Sequence, residues 1–350
     1  MLGCVDGLED KRALRLVCKR SRASVDRRVT AVKRTGSNPM DPVGEQDMSA
    51  LAQAPWTFLL ELNISGNNIG DTGAASLAAA QWPSLRKLVL NSCGVGIAGA
   101  ASLSSAARWP SLQALGLSAC GFGDAGAASL AAAPWPALKK LALGSCRLGP
   151  AGAASLAAAA WPYLLELDLS DNNLDDAGAA SLSAARWPAL KKLDLRACGM
   201  GPAGAASLAA APWTSLQVLG LNTNNLGPAG AASLAAAPWA SLQKLDLTAN
   251  RLGDAGAMTL AAAPFPALED LYLAMNNLSE ACAAPLAAAH WPALEFLARL
   301  QQLWRRGRGG SNGSALARPQ IFGAQPKPCQ QRRQGSPPGA LSVRQTRVLD

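Results

Sequence analysis

Histidine is almost missing from this chain: one in 350 residues, His290. A catalytic base that titrates near neutrality is therefore scarce, and so is the commonest metal ligand. Tyrosine occurs twice, charged residues make up 16% of the whole, and no C-x-x-C spacing exists among the eight cysteines. No G-x-x-x-x-G-K-[ST] phosphate loop appears, and no Ser or Cys stands near a visible base. These absences argue against an enzyme and against a metal or cofactor. No run of eighteen uninterrupted apolar residues is present and the N-terminus has no apolar signal core, so a membrane span is not expected. The default compartment is cytoplasmic or nuclear, which suits free thiols.

What the chain does have is a phrase that returns. Trp135 to Ala160 reads W-P-A-L-K-K-L-A-L-G-S-C-R-L-G-P-A-G-A-A-S-L-A-A-A-A, and copies begin at Trp56, Trp82, Trp109, Trp135, Trp161, Trp187, Trp213, Trp239 and Phe265, with a degraded one at Trp291. The period is 26 residues with one 27-residue step. A fixed period of this length predicts a stacked array in place of a single-centred globule. In the first half of each copy Leu alternates as in a strand (Leu141, Ala142, Leu143). The second half, Gly149 to Ala160, predicts a short Ala-rich helix, opened by Asp or Pro (Asp71, Asp124, Pro150, Asp176, Pro202, Pro228, Asp254) as acceptors or fixed angles for the first turn. A strand, a helix and a parallel strand one copy later make a crossover unit. Many of these in register give an α/β solenoid with strands inside and helices outside.

The phrase L-x-x-L-x-L-x-x-N/C-x-L followed by G-A-A-S-L-A-A-A resembles the leucine-rich repeat, in the helix-backed subtype of ribonuclease inhibitor. The resemblance implies a right-handed horseshoe with parallel strands on the concave face and short helices on the convex one. It also implies a structural ladder at Asn67, Cys93, Cys120, Cys146, Asn172, Cys198, Asn224, Asn250 and Asn276, whose side chains satisfy backbone groups where the chain leaves each strand. The Trp column reads as a gap-filling structural feature. The family's usual partner surface is the concave wall. Residues flanking the inward Leu there place Glu166, Asp168, Lys192, Asp194, Arg196, Lys244, Asp246, Asp270 and Tyr272 as candidate contacts, the copies nearer the N-terminus being small and bare. Neighbouring opposite charges, Lys192 with Asp168 and Lys244 with Asp270, can alternatively pair with each other as a solvated surface.

Four segments are expected: residues 1–35 helical, 36–50 a linker, 51–298 the solenoid of about nine copies plus the degraded one, and 299–350 a basic, disordered tail. The net charge of +9 is uneven: residues 1–35 carry ten Lys or Arg against four acids, and 299–350 ten against one. The region between is left with twelve bases against eighteen acids. Basic ends touch nucleic acid weakly at most. Asp10 to Arg20 with Val25-Asp26 resembles the second half of an F-box, the module that docks on Skp1 in cullin ubiquitin ligases, although the family's opening helix has only seven residues of room and Ser21 stands where Trp is usual. The expected function is a monomeric, non-catalytic protein-interaction scaffold, with an F-box substrate receptor as its specific form. The alternatives are a Ran-type GTPase activator, a family whose tail is acidic where this one is basic, and a structural repeat protein of a cytoskeletal or ciliary assembly.

Overall fold

A computed structural model describes residues 4–5, 31–33, 45–105, 109–294 and 296–298. All lie within one unit, residues 1–310; the expected tail from residue 299 on lies outside the described residues. The described unit is one parallel sheet of twelve strands in strict chain order. Its strands are β1 (Cys4–Val5), β2 (Ala31–Lys33), β3 (Glu61–Asn63), β4 (Lys87–Val89), β5 (Ala114–Gly116), β6 (Lys140–Ala142), β7 (Glu166–Asp168), β8 (Lys192–Asp194), β9 (Val218–Gly220), β10 (Lys244–Asp246), β11 (Asp270–Tyr272) and β12 (Phe296–Ala298). A helix of eight or nine residues follows each strand from β3 to β10, beginning with Gly70–Ala78 and ending with Gly253–Ala261. This is the leucine-rich-repeat solenoid that the repeated phrase predicts.

The strands β3 to β12 are three residues long because only the central Leu needs to point inward. Leu62, Leu88, Leu115, Leu141, Leu167, Leu193, Leu219, Leu245 and Leu271 stack in register and are all buried. Behind them each copy contributes further buried Leu, such as Leu138, Leu143 and Leu156, and the aromatic at its start. No copy owns a closed core; every Leu is covered by the neighbours above and below. That is why a lone copy cannot offset its chain entropy and a stack can.

Two boundaries differ from the expected ones. β2 pairs with β3 through Ala31↔Glu61, Val32↔Leu62 and Lys33↔Asn63, so the sheet passes through the segment expected to be helical. Val32 takes the inward column that Leu occupies elsewhere and is fully buried. The segment expected to be a linker contains the helix Glu45–Ala52, whose Met48 and Leu51 are also fully buried. The physical reason is that Leu62 and Ile69 need a layer on their N-terminal side, and Val32, Met48 and Leu51 provide it without the repeated phrase. The F-box-like stretch Asp10 to Asp26 lies outside the described residues.

Candidate partner-binding surface

The strand residues on either side of the inward Leu form two parallel columns, and the residue two positions beyond each strand forms a third. Register sets the pairing in the first column: Glu61 lies beside Lys87, Lys140 beside Glu166, Glu166 beside Lys192, and Lys244 beside Asp270. Lys87 approaches Glu61 at 3.6 Å, Lys140 approaches Glu166 at 2.6 Å and Lys244 approaches Asp270 at 3.7 Å. All are exposed pairs of small energetic weight that neutralise much of the column. The expected pairing of Lys192 with Asp168 is not formed, because the register puts Lys192 beside Glu166, which Lys140 already holds. Asp168 turns instead to Ser170, accepting from its backbone N–H at 3.0 Å and from its hydroxyl at 2.7 Å.

The middle column carries Asp168, Asp194 and Asp246. Asp168 and Asp194 are direct neighbours across β7 and β8, and no cation lies within ion-pair distance of any of the three among the described residues. Partial burial pushes the Asp194 carboxyl above its ordinary pKa; the Arg196 backbone N–H, donating at 3.1 Å, opposes this, and the Asp168 charge adds to it. At the column's far end the Lys244 ammonium donates to the Tyr272 hydroxyl at 3.1 Å and sits 4.6 Å from the ring centroid, a cation–π contact. That hydrogen bond raises the Lys244 pKa. Arg196, in the third column, pairs with Asp171 of the preceding copy. The nine candidate residues thus share one face, on which Asp168, Asp194 and Asp246 hold no close ion pair; the Arg196 and Lys192 charges partly offset that of Asp194, and Asp246 acts on Lys244.

Behind this wall runs the ladder, and its two residue types work differently. Asn172 is saturated: its Nδ2 donates to Leu143 O at 2.9 Å and Leu169 O at 2.8 Å, and its Oδ1 accepts from the N–H of Cys146 and of Leu148, both at 3.0 Å. Asn224 repeats the pattern two periods on, toward Leu195, Leu221, Cys198 and Met200. Asn250 and Asn276 donate to Leu221 O and Leu247 O of the preceding copies, and Asn67 donates to Ile64 O at 2.6 Å. The thiols of Cys93, Cys120, Cys146 and Cys198 donate to Ile64, Leu90, Leu117 and Leu169 O, and those of Cys146 and Cys198 also lie 3.5 Å from Gly144 O and Arg196 O. Burial raises the Cys93, Cys146 and Cys198 thiols to about 12 and Cys120 also upward, so they are poor nucleophiles. No group of three metal-ligating side chains exists among the described residues.

Several contacts were not foreseen. Asp71, Asp124 and Asp176 do not cap their own helices. Asp176 Oδ1 accepts from the N–H of Gly201 at 2.7 Å and Gly204 at 2.8 Å, which belong to the next helix; Asp71 does the same to Gly96 and Gly99, and Asp124 to Gly149. Their spacing of 25 to 28 residues from the donors was visible in the sequence, but the direction of the reach was not. Loops leaving the strands also carry left-handed non-glycine residues, among them Ala249, Arg251, Met275 and Asn277, and form open grooves on the rim.

The family model described as "Leucine Rich repeat" matches residues 57–78, 110–131, 136–157, 162–183, 188–209 and 240–261. These are leucine-rich repeats. No curated protein matches the chain by sequence. Among solved structures, the leucine-rich-repeat unit resembles the Rad7 and Elc1 complex from yeast with a TM-score of 0.50 and 18% identity, over 79% of this chain and 75% of that one. It also resembles the mouse RP105/MD-1 complex (TM-score 0.47, 16% identity, 75% of this chain and 49% of that one). A third is the leucine-rich-repeat ectodomain of the receptor kinase GASSHO1 from Arabidopsis thaliana (TM-score 0.42, 21% identity, 72% and 30%). At such identities the likeness is one of fold. No described helix is long and apolar enough to cross a membrane.

Proposed function

We propose that this leucine-rich-repeat array is a non-catalytic scaffold that binds a protein partner on the concave face between Glu166 and Tyr272. The observation that carries the reading is the pattern of pairing among the described residues: Lys140, Lys244 and Arg196 each have an acid within ion-pair distance, whereas the line of Asp168, Asp194 and Asp246 has no cation that close, Lys192, Arg196 and Lys244 acting on Asp194 and Asp246 only from farther away. A partner supplying Lys or Arg opposite this line gains complementarity without breaking internal pairs. Tyr272, held by Lys244, offers an aromatic anchor at one end. Helices of eight or nine residues behind each strand are in keeping with the ribonuclease-inhibitor-like subtype.

The specific form of the proposal is a substrate receptor that docks on Skp1 through residues 1–35. The motif between Asp10 and Asp26 supports it; the strands Cys4–Val5 and Ala31–Lys33 limit it, because they flank the motif and leave 25 residues between them. The test is affinity capture from the source cell with the full chain and with the double variant D168K/D194K. Partners retained by the parent and lost by the variant, at equal melting temperature, support the concave reading, and an identical set on both contradicts it. Skp1 among the partners supports the receptor form, and failure of purified Skp1 to bind removes it.

A further inference from the structure

The rim beyond the C-terminal ends of β9, β10 and β11 carries a groove of about 610 Å³ lined by Thr223, Asn225, Ala249, Arg251, Met275 and Asn277. Three successive loops build it, held in step by Thr223 N–H donating to Thr248 O and Ala249 N–H donating to Ala274 O, both at 2.8 Å. Its chemistry is one-sided. The Arg251 guanidinium has no acidic partner among the described residues, and the exposed Thr223, Asn225 and Asn277 side chains add hydroxyl and amide groups with no internal partner. No carboxylate lines it. The comparable groove nearer the N-terminus, about 760 Å³ and centred on Arg147, differs: Asp124 and Asp171 line it beside the arginine. Two carboxylates share that groove with the arginine, and none shares the groove of Arg251. Met275, 75% exposed, closes the groove with the most exposed large apolar side chain among the described residues.

We infer that this groove receives a single side-chain carboxylate, Asp or Glu, from a protein segment. The guanidinium fork presents paired N–H donors that match a carboxylate, the flanking amides can complete its hydrogen bonds, and Met275 packs against the acid's aliphatic stem. A nucleic acid fits less well: the groove supplies one cation where phosphate tracking needs several, and the Asp246 and Asp194 carboxylates lie on the adjoining face. The inference deepens the proposed scaffold reading, on which it rests for the type of partner. It specifies that partner as mixed in charge, with basic side chains over Asp168, Asp194 and Asp246 and an acid at Arg251.

The test pans a random dodecapeptide phage library on the immobilised full chain at about 0.15 M salt, where long-range attraction is screened. Recovered peptides are then titrated by fluorescence anisotropy against the parent, R251Q and D168K/D194K, with a labelled single-stranded oligothymidylate as a second probe. Arg251 is exposed, so R251Q is expected to melt with the parent. The expected result is enrichment of Asp and Glu among recovered peptides and binding to R251Q weaker by about tenfold or more, as for losing one charge-assisted contact. Recovery of no peptides, no acidic enrichment, or equal affinity for R251Q overturns the inference. Oligothymidylate binding that is stronger than that of the peptides and is lost in R251Q overturns it in favour of nucleic acid. Peptides sensitive to R251Q but indifferent to D168K/D194K leave the groove standing and contradict the concave reading; the reverse pattern contradicts the groove alone.

Discussion

An indole N–H buried without an acceptor forfeits a hydrogen bond it had in water, and the described chain has seven of them, from Trp82 to Trp239 at consecutive copies. Trp291 shows the alternative by donating to Ala263 O at 3.1 Å. The column is retained for volume: Trp56 and Trp82, and Trp187 and Trp213, stack with centroids 6.4 and 6.3 Å apart. Since Phe265 fills the same place in the ninth copy, W187F should cost within about 1.5 kcal/mol. W187A should cost about 3–5 kcal/mol; urea unfolding of both variants checks the difference. The ladder thiols make a second prediction at this scale. Burial favours the neutral thiol, so the folded pKa, about 12 at Cys93, Cys146 and Cys198, stands above the ordinary 9.0. The folded state then holds protons that the unfolded chain releases. The contribution is complete below pH 9 and is lost as pH rises from there toward 12. The urea midpoint should fall across that window, and less steeply in the triple alanine variant of these three cysteines; equal slopes would contradict it.

At three helix interfaces a carboxylate, Asp71, Asp124 or Asp176, reaches across to the start of the next helix. Gly204 is what lets Asp176 arrive: a Cβ at that position would lie 2.6 Å from Asp176 Oδ1. Glycine to alanine in a helix ordinarily stabilises by about 1 kcal/mol, but G204A should destabilise, because it displaces an acceptor that serves two N–H groups at once. D176A should cost about 0.5–2 kcal/mol, the usual range for a lost cap, and G204A should add little on top of it. Thermal melts of the two singles and the double form the cycle that tests this coupling. The sequence was readable to this level and not beyond. Leu at fixed intervals can be buried only in one way, so strands, helices and ladder columns were legible. Asp176 was not, because a first-turn acid can accept from N–H groups of its own helix or from those one period on, and only the packing decides. Val32 and Met48 were missed for a related reason: they fill the inward columns without carrying the repeated phrase.

That the nine candidate residues lie in register on neighbouring strands was legible, since register follows from the period, but the pairing among them was not. Lys192 and Asp168 are near in sequence pattern, and Lys140 competes successfully for the intervening Glu166. Arg251 and Met275 escaped notice because they lie past the strand, in loops where left-handed backbone at Ala249 and Met275 redirects the chain. For the whole array, the physical claim is that every copy is completed by its neighbours and none has a core of its own. Excision of residues 161–212 tests this most directly, because it removes two of the nine copies and rejoins Ala160 to Trp213, restoring the native Ala-Trp junction. Urea unfolding followed by circular dichroism should show a folded chain with native ellipticity per residue and an m-value reduced by roughly two ninths, in proportion to the surface buried. Loss of cooperative folding, or an m-value equal to that of the parent, would contradict the account.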